Sequence, residues 1–222
     1  MSFSANGYSD IVDGFTVAVV EDFEGFDVGN IEDDSMLSIG KFSSVGGVGT
    51  GGTVNSKSFP GVNDGSKLAI RKGNVFGRSS TTRLLSGAAS DDKFLDSNDT
   101  YGIAWEASLG GNMFDKIVLT LSDAADTGAI MKISVNGAVK QTLSKLGNGN
   151  KKTVVFSFDE AVSSAQILFE NVNSKGQYRK NDGFSLDDIA FNDVTAVPLP
   201  ASALMLLAGL GGLGAMRRFR KA

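Results

Sequence analysis

The chain has 222 residues, a formal charge of −4, and neither Cys nor His. Those absences exclude disulfide frameworks, Cys/His zinc sites and His-based catalytic triads, and the acidic balance speaks against a broad nucleic-acid surface. Hydrophobic residues make up 41%, enough for a folded core, and 28 Gly with only 3 Pro imply many tight turns.

In chain order, residues 11–193 read as short strands. They are TVAVV (16–20), KLAIRK (67–72), YGIAWEAS (101–108), KIVLTLS (116–122), IMKISV (130–135), TVVFSF (153–158), AQILFE (165–170) and FSLDDIAF (184–191). β-Branched and aromatic residues fill these segments, and Gly, Asn and Asp clusters separate them. Ile117, Leu119 and Leu121 alternate onto one face, and so do Val154, Phe156 and Phe158. No stretch here sustains a helical period. The pattern predicts an all-β domain over residues 1–196, an antiparallel β-sandwich of jelly-roll type.

Two loops carry motif-like spacing. SSVGGVGTGGTVNS (43–56) contains G-x-G-x-x-G at Gly47, Gly49 and Gly52. A dinucleotide site needs a helix straight after it, and TVNSKSF is β-like, so the segment reads as a loop. In MKISVNGAVKQTL, a two-residue Asn136-Gly137 turn opposes Ile133 to Lys140. A three-residue loop over 135–137 opposes Ile133 to Val139 and keeps the apolar residues on one face; that register is the expectation.

Acidic residues gather at both ends of the domain. Asp22-Phe23-Glu24-Gly25-Phe26 lies near its start and Phe184-Ser185-Leu186-Asp187-Asp188-Ile189 near its end. Strict alternation directs Asp187 inward with Ile189, or Asp188 inward with Leu186. A buried carboxylate needs a partner, and Ca²⁺, which takes several oxygen ligands, is a natural one. A solvated acidic strand end is the other reading of the same residues. The early FExG and late LDDI resemble carbohydrate-binding jelly rolls. That resemblance implies neighbouring first and last strands bridged by a structural calcium, with Glu24 and Asp187 as its ligands and Asp22 and Asp188 in reserve.

Other constellations are weaker. Asp96-Ser97-Asn98-Asp99-Thr100 begins like an EF-hand loop, but Tyr101 stands where that loop needs Gly. Ser38/Lys41 and Ser90/Lys93 match S-x-x-K outside any helical pattern. Asp91, Asp92, Asp123 and Asp126 are the carboxylates open to a glycosidase pair, with no spacing that selects two. Trp105 shares a strand face with Tyr101 and Ile103 and reads as core. Tyr178, beside Arg179 and Lys180, reads as exposed.

Beyond residue 196 the chain changes character. Residues 1–196 hold 17 basic and 25 acidic residues, a formal −8, whereas residues 197–222 hold four basic residues and no acid. Val197 to Met216 carry no charge, about one bilayer core as a helix. Pro198 and Pro200 delay the helix to about Ala201, and Arg217, Arg218, Arg220 and Lys221 follow it. A buried core helix or a permanent anchor is the plain alternative. The positive-inside rule keeps the basic cluster in the cytoplasm and puts residues 1–196 across the membrane.

Val197-Pro198-Leu199-Pro200-Ala201, the apolar span and the basic cluster together resemble the VPLPA-type variant of the PEP-CTERM sorting signals of Gram-negative bacteria. The resemblance implies export, temporary retention in the inner membrane with the domain on the periplasmic side, and processing by an exosortase-type membrane protease. The expected product is a non-enzymatic surface or matrix protein that binds exopolysaccharide. An exported carbohydrate-active enzyme and a purely structural matrix component are the rivals. Residues 1–25 show no basic n-region followed by an apolar run, so the expectation is a reading frame that starts upstream of Met1, the alternative being a lost signal and a vestigial tail.

Overall fold

A computed structural model describes residues 3–4, 15, 17–45, 67–80, 92–98, 100–126, 128–177 and 183–192. Sixteen strands run through them. The first eight are β1 (Phe3–Ser4), β2 (Val17–Glu21), β3 (Gly29–Asn30), β4 (Ser35–Leu37), β5 (Gly40–Ser44), β6 (Ala69–Lys72), β7 (Asn74–Val75) and β8 (Arg78–Ser79). The second eight are β9 (Lys93–Asp96), β10 (Gly102–Ser108), β11 (Phe114–Ser122), β12 (Ile130–Val135), β13 (Ala138–Ser144), β14 (Lys151–Val162), β15 (Ser164–Val172) and β16 (Ser185–Asn192). The expected carboxy-terminal helix lies outside the described residues.

The larger sheet runs β1-β14-β11-β16-β9-β6-β3, with β2 also beside β16, and the smaller runs β13-β12-β15-β10-β5-β4. Each named pairing in both sheets is antiparallel. The sheets face each other across one core. Trp105 of β10 stacks on Phe42 of β5 at 5.3 Å and meets Phe191 of β16 edge-on at 5.7 Å. Phe156 of β14 meets Phe169 of β15 at 6.4 Å. Such edge-to-face pairs add to simple area burial. The fold is therefore an all-β antiparallel sandwich.

Each of the eight expected segments contains a strand, and in β11 and β14 alternation puts the apolar residues on the core side. Ile117, Leu119, Leu121, Val154 and Phe156 belong to the core, with Phe158 packed against it only in part. Trp105 is a core residue whose Nε1 donates to Ile39 O at 3.0 Å. The 43–56 loop begins later than expected: Ser43 and Ser44 belong to β5, and 46–56 lie outside the described residues.

Two registers correct the sequence expectations. In the β12–β13 hairpin, Val135 pairs with Ala138 and Ser134 with Val139, so the turn has two residues. Asn136 and Gly137 take φ of 49° and 78°, the pair of positive values that an Asn-Gly turn of type I′ requires. A bulge then shifts Ile133 to face Gln141. The three-residue loop opposing Ile133 to Val139 is not formed, and Val139 is exposed.

The second correction falls on β16. Leu121 pairs with Leu186 and Thr120 with Asp187, but Val118 pairs with Ala190, so β16 carries one extra residue. Asp188 has a φ of 49° in this bulge. Leu186, Ile189 and Phe191 consequently all join the core. Neither form of strict alternation holds, and Asp187 shares the outward side of its sheet with Thr120.

Candidate functional site

The domain's first and last long strands do lie side by side. Glu21, Val20, Val19 and Val17 of β2 pair with Ile189, Ala190, Phe191 and Asn192 of β16. After Glu21 the chain turns back through Phe23, whose φ is 58°. The Glu21 carboxylate holds this turn, accepting from Phe23 N at 2.9 Å and from the Ser38 hydroxyl. That contact also absorbs Ser38 of the first S-x-x-K match; its Lys41 is an exposed residue of β5.

Glu24 sits on the same turn and is committed to the backbone. Its Oε1 accepts from the amides of Asp92 and Lys93, both at 2.7 Å. Lys93 returns the contact: its Nζ donates to Glu24 O at 2.9 Å and to Phe26 O at 2.6 Å. Asp22 accepts from Glu24 N at 3.2 Å. Across the sheet, Asp187 Oδ1 accepts from Asp188 N at 2.8 Å, and both residues are buried. Among the described residues no three His, Cys, Asp or Glu side chains form a group that could hold a metal ion. The donor set around Glu24 does not fit calcium, because an ammonium already takes the carbonyl oxygens.

A second polar cluster escaped the sequence reading. Arg71 of β6, Arg78 of β8 and Asp96 of β9 are fully buried on the outward side of the larger sheet. Arg71 Nε lies 2.6 Å from Asp96 Oδ2, and Arg78 Nη1 lies 3.4 Å from Asp96 Oδ1. Arg71 also donates to Asn98 Oδ1. Asn98 N donates to Asp96 Oδ1 at 2.6 Å, so residues 96–98, which open the EF-hand-like sequence, form an Asx turn closed by a guanidinium. The segment around Gly77 covers this side. Ser79 N donates to the Ser122 hydroxyl at 3.3 Å, and Lys151 Nζ to Ser80 O at 2.6 Å. Arg71 carried no signal beyond one charge in an apolar strand; its partners lie at least 25 positions away.

Asp123 closes one end of this cluster. Its φ is 58°, and Oδ1 accepts from Gly149 N at 2.6 Å. Burial raises its pKa to about 6; Asp126 and Asp96 push the same way, while the Gly149 amide and Arg78 oppose. Of the other glycosidase candidates, Asp92 pairs with Lys72 at 2.9 Å, which raises the Lys72 pKa. Asp91, Ser90, Tyr178, Arg179, Lys180 and the Gly47–Gly49–Gly52 motif lie outside the described residues, as do Val197–Ala201 and the basic cluster.

Comparison with known families decides the tail. Residues 196–221 match the PEP-CTERM protein-sorting motif. The PEP-CTERM segment marks the chain for export through the membrane towards the cell surface and for recognition by an exosortase. Among the described residues no helix is long and apolar enough to cross a membrane; the PEP-CTERM segment lies beyond them.

No curated protein sequence matches the chain. Several solved structures resemble part of it. A family 35 carbohydrate binding module from Clostridium thermocellum has 14% identity and a TM-score of 0.28, over 54% of this chain and 90% of that one. The CBM22-1 xylan-binding domain from Paenibacillus barcinonensis has 14% identity and a TM-score of 0.29, over 75% and 99%. The catalytic domain of a GH87 alpha-1,3-glucanase has 14% identity and a TM-score of 0.30, and the match spans 60% of this chain and 29% of that one. At these values nothing about activity passes from them to this chain.

Proposed function

We propose that residues 1–196 form a non-enzymatic domain delivered to the cell surface or extracellular matrix, and that residues 197–222 are its processing signal. The match of the tail to the PEP-CTERM protein-sorting motif carries this reading. In it, Val197-Pro198-Leu199-Pro200-Ala201 is the stretch an exosortase-type protease recognises. Arg217, Arg218, Arg220 and Lys221 hold the end of the chain in the cytoplasm while the acidic domain waits on the periplasmic side of the inner membrane. The division between a −8 domain and a +4 tail suits those two environments. Fractionation of the native host tests it. Full-length protein should partition with membranes in a strain lacking the exosortase, and a chain ending at Thr195 should not. Identical fractionation of the two contradicts the reading.

The ligand we propose is exopolysaccharide, bound on the outward side of the smaller sheet. There Lys41, Glu106 and Gln166 face one another across β5, β10 and β15, and Lys132 faces Glu170. These side chains, of which Lys41, Glu106 and Gln166 are exposed, offer donors and acceptors to sugar hydroxyls. A glycan array probed with the full chain in mild detergent tests the ligand. Binding that weakens in Glu106→Ala supports this face, and a blank array favours a purely structural matrix role. The enzyme reading keeps one supporting observation, the raised pKa of Asp123 beside Asp126. Release of reducing sugar from exopolysaccharide, lost in Asp123→Asn, would favour it.

A further inference from the structure

Two places in this domain gather oxygen atoms as a cation site does, and a cationic side chain of the chain itself fills each. In the turn after β2, the carbonyl oxygens of Glu24 and Phe26 converge beside the Glu24 side chain, and Lys93 Nζ donates to both. At residues 96–98, the Asp96 carboxylate and the Asn98 amide oxygen converge on Arg71. We infer that Lys93 is the built-in cation of the first–last strand junction, and that the domain folds and holds together without calcium.

The contacts at the junction are reciprocal. The Glu24 carboxylate grips the backbone at 92 and 93, while the Lys93 ammonium grips the backbone at 24 and 26. One charge of each sign thus ties the turn after β2 to the chain entering β9. β9 in turn pairs with β16 through Ser185↔Asp96 and Leu186↔Leu95. The clasp therefore fastens the start of the domain to its end, the joint that a bridging calcium would otherwise make. A Ca²⁺ ion takes about 6–8 oxygen ligands. To enter here it would displace an ammonium from two carbonyls. Each lost charge-assisted bond weighs against that exchange. The Asp96–Arg71 pair repeats the arrangement on the other side of β9, where a guanidinium occupies the start of an EF-hand-like sequence.

Thermal unfolding of the full chain in mild detergent tests this, in millimolar CaCl₂ and in excess EGTA. The wild-type Tm should be the same in both. Lys93→Met leaves two carbonyls without their donor, and its Tm should fall by about 3–8 °C in either medium. A wild-type Tm that rises with calcium and falls with chelator overturns the proposal, and so does Lys93→Met melting like the wild type. Should Lys93→Met fail to fold, Glu24→Gln probes the same clasp, since it keeps an acceptor oxygen but loses the charge. A fall of a few degrees supports the clasp, and an unchanged Tm overturns it.

Discussion

Asp123 is a carboxylate held where ionisation is unfavourable. Its folded pKa is about 6 against an ordinary 3.8, so the folded state binds its proton more tightly than the unfolded chain does. Below pH 3.8 both states are protonated and the site has no effect. Between 3.8 and about 6 a penalty on folding grows, and above that it is complete, at about 2–3 kcal/mol. Asp123→Asn keeps an oxygen for the Gly149 amide and removes the penalty. The variant should be more stable than wild type at pH 7.5 and lose that advantage near pH 4, which denaturant midpoints at the two values check. Arg71 gives the opposite case. Arg71→Met takes the nearer guanidinium from the buried Asp96 carboxylate and should cost about 3–5 kcal/mol by the same measurement. Arg71→Lys should not restore it, because an ammonium cannot reach both Asp96 and Asn98 as a guanidinium fork does. Sequence singled out Glu24 as a calcium ligand at the meeting of the domain's two ends. Its partners are backbone amides and a lysine 69 positions away, which no spacing rule exposes.

At the scale of elements, strands declared themselves wherever one side was buried in the core and the chain was β-branched or aromatic. GKFSS (β5) and KFLD (β9) did not, because Lys, Ser and Asp interrupt the apolar pattern. β16 was found, yet its directions were misread. A period-2 reading assumes an uninterrupted ladder, and the extra residue at Asp188 breaks it. The β12–β13 turn shows the reverse balance: the Asn-Gly dipeptide outweighs the pull of Val139 toward the core side. Two glycines separate close approach from conformation. A Cβ on Gly102 would stand 1.9 Å from Phe169 O, so alanine there must push β10 from β15. Gly137 has open space around it and a φ of 78°, so alanine there costs only the left-handed conformation, about 1 kcal/mol. Thermal melts should rank Gly102→Ala well below Gly137→Ala, and equal melting temperatures would contradict the β10–β15 register.

For the whole molecule, the organising fact is the change of composition at residue 197. An acidic sandwich with buried, internally paired charges precedes it, and an apolar span with a basic end follows. The tail was legible as a sorting segment because such a signal is read as a linear sequence. The domain's role was not, since a ligand face depends on which side chains distant strands bring together. Neutralising Arg217, Arg218, Arg220 and Lys221 should impair membrane retention or orientation, read by protease protection of residues 1–196 in spheroplasts. The central claim, that this chain is exported and then trimmed by an exosortase, is tested most directly by intact-mass spectrometry of the protein recovered from outside the cell. The account predicts a product that ends within or close to Val197–Ala201 and lacks the apolar span and basic cluster. A product that retains Arg217 to Ala222, or one found solely in the cytoplasm, would contradict it.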